Sequence, residues 1–121
     1  MKITFLGAGS TVFARNVLGD CLLSDLKDYE IALYDIDEKR LDESYVIINA
    51  MRDKYNKTVK VEKYTDAKEA FRGANYIINA IQVGGYEPCT VTDFEIPKKY
   101  GLRQTIADTL GIGGIFRALR T

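Results

Sequence analysis

The stretch Ile3-Thr4-Phe5-Leu6-Gly7-Ala8-Gly9-Ser10-Thr11 decides how this chain folds. It begins with a short apolar run, continues with two closely spaced glycines, and leads into a helical pattern that starts at Thr11. Gly7 allows a tight turn, and Gly9, which has no side chain, lets backbone N–H groups approach a phosphate. A strand, a glycine turn and a helix in this order are typical of the first unit of a dinucleotide-binding fold.

Hydrogen-bond donors continue into the start of the predicted helix. A helix N-terminus presents unpaired N–H groups and the positive end of its dipole, which together attract an anion. The hydroxyl groups of Ser10 and Thr11 add further donors. Val12 stands where the usual pattern has a third glycine, so the turn by itself is an incomplete signal.

Asp35 strengthens the signal, because it ends the second predicted strand about 26 residues after Gly9. This is close to the spacing of the acid that binds the adenosine ribose. A carboxylate there accepts hydrogen bonds from both ribose hydroxyls and repels a 2′-phosphate, so we predict NAD rather than NADP. In the alternative interpretation, Gly7 and Gly9 are ordinary turn residues and Asp35 caps a helix, although Asp37 fits the capping role better.

The chain up to Ile81 alternates between strand and helix patterns. We predict strands at 3–6, 30–35, 59–64 and 75–81, and helices at 11–23, 38–55 and 66–73. This order implies a parallel sheet with right-handed crossovers. We therefore predict an α/β fold, a truncated Rossmann-like doubly wound parallel sheet with strand order 3-2-1-4 in the part present.

Burial follows from the same patterns. The third strand alternates charged and apolar residues and is expected near an edge, whereas the fourth is apolar enough to be buried on both faces. The first helix is expected to bury one broad apolar face, and its members are Val12, Phe13, Val17, Leu18 and Leu22. Asp66 and Glu69 resemble a capping box at the start of the short third helix.

Ligands of this fold bind where the sheet order reverses, between the first and fourth strands. The Asn79 amide and the backbone near Gly84 can contact the cofactor there, although Asn79 can equally satisfy backbone groups at the end of its strand. Further on, the backbone amides of Gly113 and Gly114 can bind an anion or approach a sugar ring. A plain flexible loop is the alternative for that segment.

The pattern changes after Val83. Residues 91–99 favour a helix interrupted by Pro97, residues 101–114 a glycine-rich loop, and residues 115–121 the start of a helix without a terminator. We therefore expect residues 1–121 to be one NAD-binding, Rossmann-like domain that is a fragment of a longer, two-part enzyme.

Composition argues against several functions. Lys and Arg number 17, as do Asp and Glu, and no basic run forms a patch for nucleic acid or a membrane surface. The chain has no histidine, and its two cysteines, Cys21 and Cys89, lack metal-ligand spacing, so we expect no metal ligands within it. The apolar start is too short for a signal or membrane segment, and we expect a cytoplasmic protein.

Longer motifs carry a resemblance to a known family. The turn, Asp35 and two downstream segments resemble glycoside hydrolase family 4, and within it the bacterial α-galactosidases of the melibiase type. The resemblance covers essentially the whole chain, and its downstream segments are far more specific than the glycine turn. Those segments are Gln82-Val83-Gly84-Gly85-Tyr86-Glu87-Pro88-Cys89-Thr90-Val91-Thr92-Asp93-Phe94 and Gln104-Thr105-Ile106-Ala107-Asp108-Thr109-Leu110-Gly111.

The resemblance implies a hydrolase that uses NAD and a divalent metal, usually Mn²⁺, without net redox change. It implies that NAD takes a hydride from sugar C3, that a tyrosine removes the C2 proton and that the glycosidic oxygen leaves. Water and the hydride are then added back, which differs from the two-carboxylate mechanism of most glycosidases. The cofactor contacts that it implies are Gly7, Gly9, Ser10, Thr11, Asp35, Asn79 and Gly84.

The same resemblance places Asp108 near the tyrosine base, whose proton affinity its charge would raise. It implies that the metal ligands, the acid and the tyrosine base belong to later parts of family members, and that Cys89 is not the metal cysteine. Relatives that act on 6-phosphoglycosides carry an arginine where residues 86–98 have none, which favours an unphosphorylated α-galactoside. Ile112 replaces a proline that is common in relatives.

Other functions stay open at this point. They are an α-glucosidase or α-galacturonidase of the same family, an NAD-dependent 2-hydroxy-acid-type dehydrogenase, and a non-catalytic NAD-binding module. The expected partners are a small-molecule glycoside and, in the full-length protein, further copies of the same chain. We expect the fragment alone to be inactive.

Overall fold

The computed structural model describes residues 1–55, 57–103 and 111–119. The chain divides into two compact units, Met1–Ile81 and Gln82–Thr121. The first unit contains the sheet, and the described part of the second contains two helices. None of the described helices has an apolar stretch long enough to cross a bilayer.

The first unit alternates strands and helices along its length. Its elements are β1 (Lys2–Leu6), α1 (Thr11–Leu23), β2 (Glu30–Tyr34), α2 (Glu38–Lys54), β3 (Lys60–Tyr64), α3 (Ala67–Phe71) and β4 (Tyr76–Asn79). Every strand pair is parallel, and the order is β3-β2-β1-β4. The predicted fold class and strand order are confirmed. Because the strands are parallel, the residues that follow β1, β2 and β4 meet at one edge of the sheet.

Helices cover both faces of β1. Ile3 and Phe5 belong to a buried apolar cluster that they share with α1 and α2. Thr4 points to the opposite face, is fully buried, and donates a hydrogen bond from its hydroxyl to the carbonyl of Ala70 in α3 at 3.1 Å. The apolar run that precedes the glycine turn is therefore the central strand of a sheet packed on both sides.

The buried face of α1 is narrower than predicted. Ala14, Leu18 and Leu22, spaced four residues apart, are fully buried, whereas Val12 is 58% and Phe13 is 62% exposed. The expectation that Val12 and Phe13 lie on the buried face is wrong, because the buried side chains follow a single i, i+4 row of the helix. The two exposed side chains lie in the first turn of α1, just after the glycine turn.

The edge strands differ in how well their burial was predicted. β3 is an edge strand, as expected. Its polar side chains interact with one another, and the hydrogen bond from the Tyr64 hydroxyl to Glu62 raises the pKa of Tyr64 to about 12. β4 was expected to be buried on both faces, but Tyr76 is 61% and Ile77 is 53% exposed. That expectation is wrong because β4 is the last strand of the described sheet and pairs with β1 alone.

Acidic side chains cap two helices. Asp37 accepts a hydrogen bond from the backbone N of Arg40 at 3.1 Å, as predicted for the start of α2. Asp66 accepts from the backbone N of Lys68 at 2.7 Å at the start of α3, although the carboxylate of Glu69 pairs with Arg72 instead of completing a capping box. Since Asp37 caps α2, the carboxylate of Asp35 does not serve as the cap.

The second unit begins with a wide helical turn at Gly85–Thr90, which leads into α4 (Val91–Lys99), and it ends with α5 (Ile112–Leu119). α4 continues through Pro97, so the predicted interruption is wrong. The helix accommodates Pro97 without the one backbone hydrogen bond that its nitrogen cannot donate. α5 begins at Ile112 instead of the predicted Ile115.

Candidate functional site

The turn between β1 and α1 is tightly fixed by backbone contacts. Gly7 has a φ of +89°, and a Cβ at this position would lie 2.7 Å from the carbonyl carbon of Ala80, in the segment after β4. The backbone N–H groups of Gly7 and Ala8 both donate to the carbonyl of Tyr34 at 2.9 Å. The tight turn predicted for Gly7 is therefore present, and it joins the ends of β1, β2 and β4.

Asp35 contacts the turn directly. Its Oδ2 accepts a hydrogen bond from the backbone N of Gly9 at 2.7 Å, and its Oδ1 accepts one from the backbone N of Asp37 at 2.9 Å. A Cβ at Gly9 would lie 2.7 Å from Oδ2, so the missing side chain makes this contact possible. The sequence predicts that Gly9 opens the backbone to a phosphate; in the structure its own N–H faces Asp35.

The carboxylate of Asp35 keeps acceptor capacity for a ligand. A carboxylate offers about four lone-pair sites on its two oxygens, and the two backbone N–H groups use one on each. Asp35 is only half-buried, at the carboxyl edge of the sheet. Its side chain is therefore held in one orientation while it can still accept hydrogen bonds from two neighbouring hydroxyl groups.

The open donors of α1 begin later than predicted. The backbone N of Ser10 donates to the carbonyl of Gly7 at 3.2 Å, and that of Thr11 donates to the carbonyl of Gly9 at 3.1 Å. The N–H groups of Val12 and Phe13 have no acceptor among the described residues. We expected Ser10 and Thr11 to supply unpaired backbone donors; that expectation is wrong, because the turn closes on itself before the helix begins.

Ser44 is a site residue that the sequence analysis missed. It lies on α2, and its hydroxyl donates to the carbonyl of Ala8, inside the glycine turn, at 2.5 Å. The signal that was available is its spacing: Leu41, Ser44 and Ile48 form the buried row of α2. A hydroxyl in an otherwise apolar row needs a hydrogen-bond partner inside the protein.

Asn79 ends β4 opposite Leu6 of β1. Its Oδ1 accepts a hydrogen bond from the backbone N of Ile81 at 3.2 Å, and its side chain is exposed. Of the two roles left open by the sequence, the structure shows the one at the strand end. The amide N of Asn79 has no acceptor among the described residues and can still donate to a ligand.

The predicted residues of the second unit have mixed outcomes. Gly84 has a φ of +82° and packs on the side chain of Cys89, where a Cβ would overlap the sulfur. Gly113 and Gly114 lie in the first turn of α5, so the expectation that they belong to a loop is wrong. Asp108 lies outside the described residues.

A buried ion pair in the second unit was not predicted. Arg117 of α5 donates from Nε to Oδ2 of Asp93 in α4 at 2.8 Å, and from a terminal nitrogen to the hydroxyl of Thr90 at 2.8 Å. The side chain of Asp93 is 2% exposed. Thr90 and Asp93 belong to one of the two motifs that carry the family resemblance, and the pair ties that motif to α5.

Neither cysteine forms part of a metal site in the described residues, where no group of three or more His, Cys, Asp or Glu is placed to hold an ion. Cys21 packs beside the apolar cluster of the first unit, and burial raises the pKa of its thiol. Cys21 therefore packs as a small apolar side chain.

Comparison with known proteins shows the family of this chain. A family model described as family 4 glycosyl hydrolase matches residues 2–121. Among curated proteins, an α-galactosidase of Bacillus subtilis is 67% identical over 121 residues, which cover 99% of this chain and 28% of that protein. An α-galactosidase of Rhizobium meliloti is 37% identical, with 98% and 24% covered. The chain thus spans about a quarter of the length of the curated relatives it matches.

Solved structures share the fold. The 6-phospho-β-glucosidase of Thermotoga maritima, crystallised with NAD and glucose-6-phosphate, is 30% identical and has a TM-score of 0.78; the match covers 99% of this chain and 28% of that one. Another structure of that enzyme, with manganese, NAD⁺ and glucose-6-phosphate, is 29% identical with a TM-score of 0.74 and the same coverage.

Proposed function

This chain belongs to family 4 of the glycosyl hydrolases, and we propose that it forms the N-terminal, NAD-binding part of a longer α-galactosidase. The observation that carries the proposal is the position of the Asp35 carboxylate. Its Oδ2 accepts a hydrogen bond from the backbone N of Gly9 in the glycine turn at 2.7 Å, and the carboxylate keeps free acceptor sites. The 67% identity to an α-galactosidase supports the substrate. Family membership favours a glycosidase over a 2-hydroxy-acid dehydrogenase.

The residues of the first unit fit NAD. The missing side chain of Gly9 lets its N–H contact the carboxylate of Asp35, and α1 begins at the same edge of the sheet as Asp35. We assign the pyrophosphate to the turn of Gly7 and Gly9, with the hydroxyls of Ser10 and Thr11 and the first N–H groups of α1 as donors. We assign the adenosine ribose to Asp35.

This arrangement favours NAD over NADP. A 2′-phosphate would bring negative charge next to the carboxylate of Asp35, whose two oxygens are held by the backbone N–H groups of Gly9 and Asp37. When bound, NAD supplies a reversible hydride acceptor, which a family 4 hydrolase uses without net redox change. The part of this chain in that chemistry is to bind and orient the cofactor.

The remaining assignments rest on the motifs that resemble the family. We propose that Asn79 and Gly84 contact the cofactor. We propose that Gly113 and Gly114 contact the sugar. Asp108 is assigned the role of raising the proton affinity of a tyrosine base. We assign the ligands of the divalent metal, Mn²⁺, to the longer protein, as the resemblance to the family implies. We further propose that the full-length enzyme is cytoplasmic and forms a homo-oligomer.

The substrate assignment gives a first prediction. The full-length protein, supplied with NAD and Mn²⁺, is expected to hydrolyse p-nitrophenyl α-galactoside at least tenfold faster than the α-glucoside, the α-galacturonide or the 6-phospho-α-galactoside. Release of p-nitrophenol measures all four rates, as values of kcat/KM. A clear preference for the galacturonide or the glucoside would contradict the α-galactosidase assignment and indicate another activity of the same family. A preference for the phosphorylated sugar would contradict the interpretation of the arginine-free segment.

Gly9 gives a second prediction. In Gly9→Ala the new methyl group would lie 2.7 Å from Oδ2 of Asp35 and 3.0 Å from Cβ of Arg40. Because the Asp35 side chain can rotate away, we expect the variant to fold but to bind NAD about three- to tenfold more weakly, the cost of about one hydrogen bond. Equilibrium titration with NAD measures this loss. An unchanged affinity would show that the contact between Gly9 and Asp35 does not orient the carboxylate for the ribose.

A further inference from the structure

We propose that Ser44 is a positioning residue for cofactor binding, because it holds the middle peptide group of the glycine turn. The inference rests on the proposed NAD site and deepens it: Ser44 lies on α2, behind the turn, and acts on the ligand through the backbone of Ala8 and Gly9.

Burial makes the contact of Ser44 irreplaceable. Ser44 is 1% exposed and Ala8 is completely buried, so water has no access to the hydrogen bond between them. The hydroxyl donates to the Ala8 carbonyl at 2.5 Å, across 36 positions of sequence. No other donor to that carbonyl is recorded in the described part of the chain. Without the hydroxyl, the carbonyl would be buried and unsatisfied.

The carbonyl of Ala8 and the N–H of Gly9 belong to the same peptide group. Because that group is planar and trans, the two point in nearly opposite directions. Ser44 holds the carbonyl end, and Asp35 holds the N–H end at 2.7 Å. Rotation of this peptide would break both hydrogen bonds, so Ser44 and Asp35 clamp it from two sides of the turn.

The clamp links two parts of the proposed site. Its N–H end orients the carboxylate that we assign to the ribose, and the turn that it fixes sets where the first N–H groups of α1 point. If the Ala8 carbonyl is released, the peptide can rotate, the hydrogen bond from Gly9 to Asp35 weakens, and both halves of the ligand lose a preorganised partner.

The test is Ser44→Ala in the full-length protein. We expect its dissociation constant for NAD to rise about three- to tenfold. We also expect faster hydrogen exchange of the Gly9 amide, followed by mass spectrometry of the peptide that spans residues 6–12. If Ser44→Ala does not fold, Ser44→Cys, whose thiol is a weak donor, is expected to show the same two changes.

Thr4→Val is the matched control. It removes another fully buried hydroxyl that donates to a backbone carbonyl, that of Ala70, on the other face of the sheet. We expect it to lower the unfolding midpoint while NAD affinity and Gly9 exchange stay at their wild-type values. Equal losses of NAD affinity in both variants would overturn the inference, and so would an unchanged affinity in folded Ser44→Ala. If the wild-type protein does not bind NAD, the proposed function fails, and unchanged Gly9 exchange in Ser44→Ala would separately overturn the clamp.

Discussion

Replacing Asp35 by alanine is expected to weaken NAD binding about 10- to 100-fold. Hydrogen bonds to a charged group contribute about 1.5–3 kcal/mol to stability or binding, and each 1.4 kcal/mol is a factor of ten in affinity. The substitution removes the proposed acceptor of both ribose hydroxyls and leaves the N–H of Gly9 without its partner. Titration of NAD into wild type and variant, by calorimetry or by the fluorescence of NADH, measures the ratio.

Asp37→Asn is the matched control for Asp35→Ala. It removes the same charge two positions away, and asparagine caps helices about as well as aspartate, so α2 should keep its start. We expect its NAD affinity to be within twofold of wild type. Since we propose that the carboxylate of Asp35 also repels a 2′-phosphate, the ratio of NADP to NAD dissociation constants is expected to fall in Asp35→Ala. If Asp35→Ala binds NAD as tightly as wild type, the ribose assignment is wrong.

Gly7→Ala is expected to be the most destabilising change at the site, by about 2–5 kcal/mol. The φ of +89° is unfavourable for any residue with a Cβ, at a cost of about 1–2 kcal/mol. The new methyl group would also lie 2.7 Å from the carbonyl carbon and oxygen of Ala80. Those are backbone atoms that no rotamer change can move, and overpacking of this kind costs about 1–3 kcal/mol. Urea unfolding followed by circular dichroism measures the loss.

Gly73→Ala is a control that separates the cost of the positive φ from the cost of the close contact with Ala80. Gly73 also has a positive φ, +72°, but a Cβ there would meet nothing within 4 Å. We expect Gly73→Ala to lower the free energy of unfolding only by the cost of the positive φ, about 1–2 kcal/mol. Equal losses for Gly7→Ala and Gly73→Ala would show that the turn is not packed against the end of β4, and the geometry of the site would then need revision.

The backbone of the site was predictable because its causes are local. The run Ile3–Leu6, the two glycines and the start of α1 at Thr11 follow from patterns of a few residues, and Asp37 was recognised as the cap of α2 from its position. Asp35 was found by its spacing from the turn. The spacing of residues does not predict which acceptor each backbone donor meets. The N–H of Gly9 faces Asp35 because of the way β1 and β2 pair.

The predictions from sequence failed where burial or a hydrogen-bond partner depends on contacts between elements that are distant in the chain. Val12 and Phe13 fit a broad apolar helix face, yet the buried side chains of α1 are those of Ala14, Leu18 and Leu22. Tyr76 and Ile77 are apolar but exposed, because β4 is an edge strand of the described sheet. Ser44 was missed since its partner is a carbonyl 36 positions away.

Arg117 is a similar case in the second unit. Nothing in the local sequence pattern indicates that the guanidinium of Arg117 is paired. Its partners, Asp93 and Thr90, are brought to it by the packing of α4 against α5. Long-range ion pairs of this kind leave no local spacing from which to predict them.

The most direct test of the central claim follows cleavage and cofactor in one cuvette. Full-length protein stripped of NAD by gel filtration is assayed with p-nitrophenyl α-galactoside and Mn²⁺, while p-nitrophenol release and NADH absorbance are recorded together. We predict no hydrolysis without NAD, full activity when NAD is restored, and no accumulation of NADH during turnover. Hydrolysis at an undiminished rate after complete removal of NAD would contradict the account.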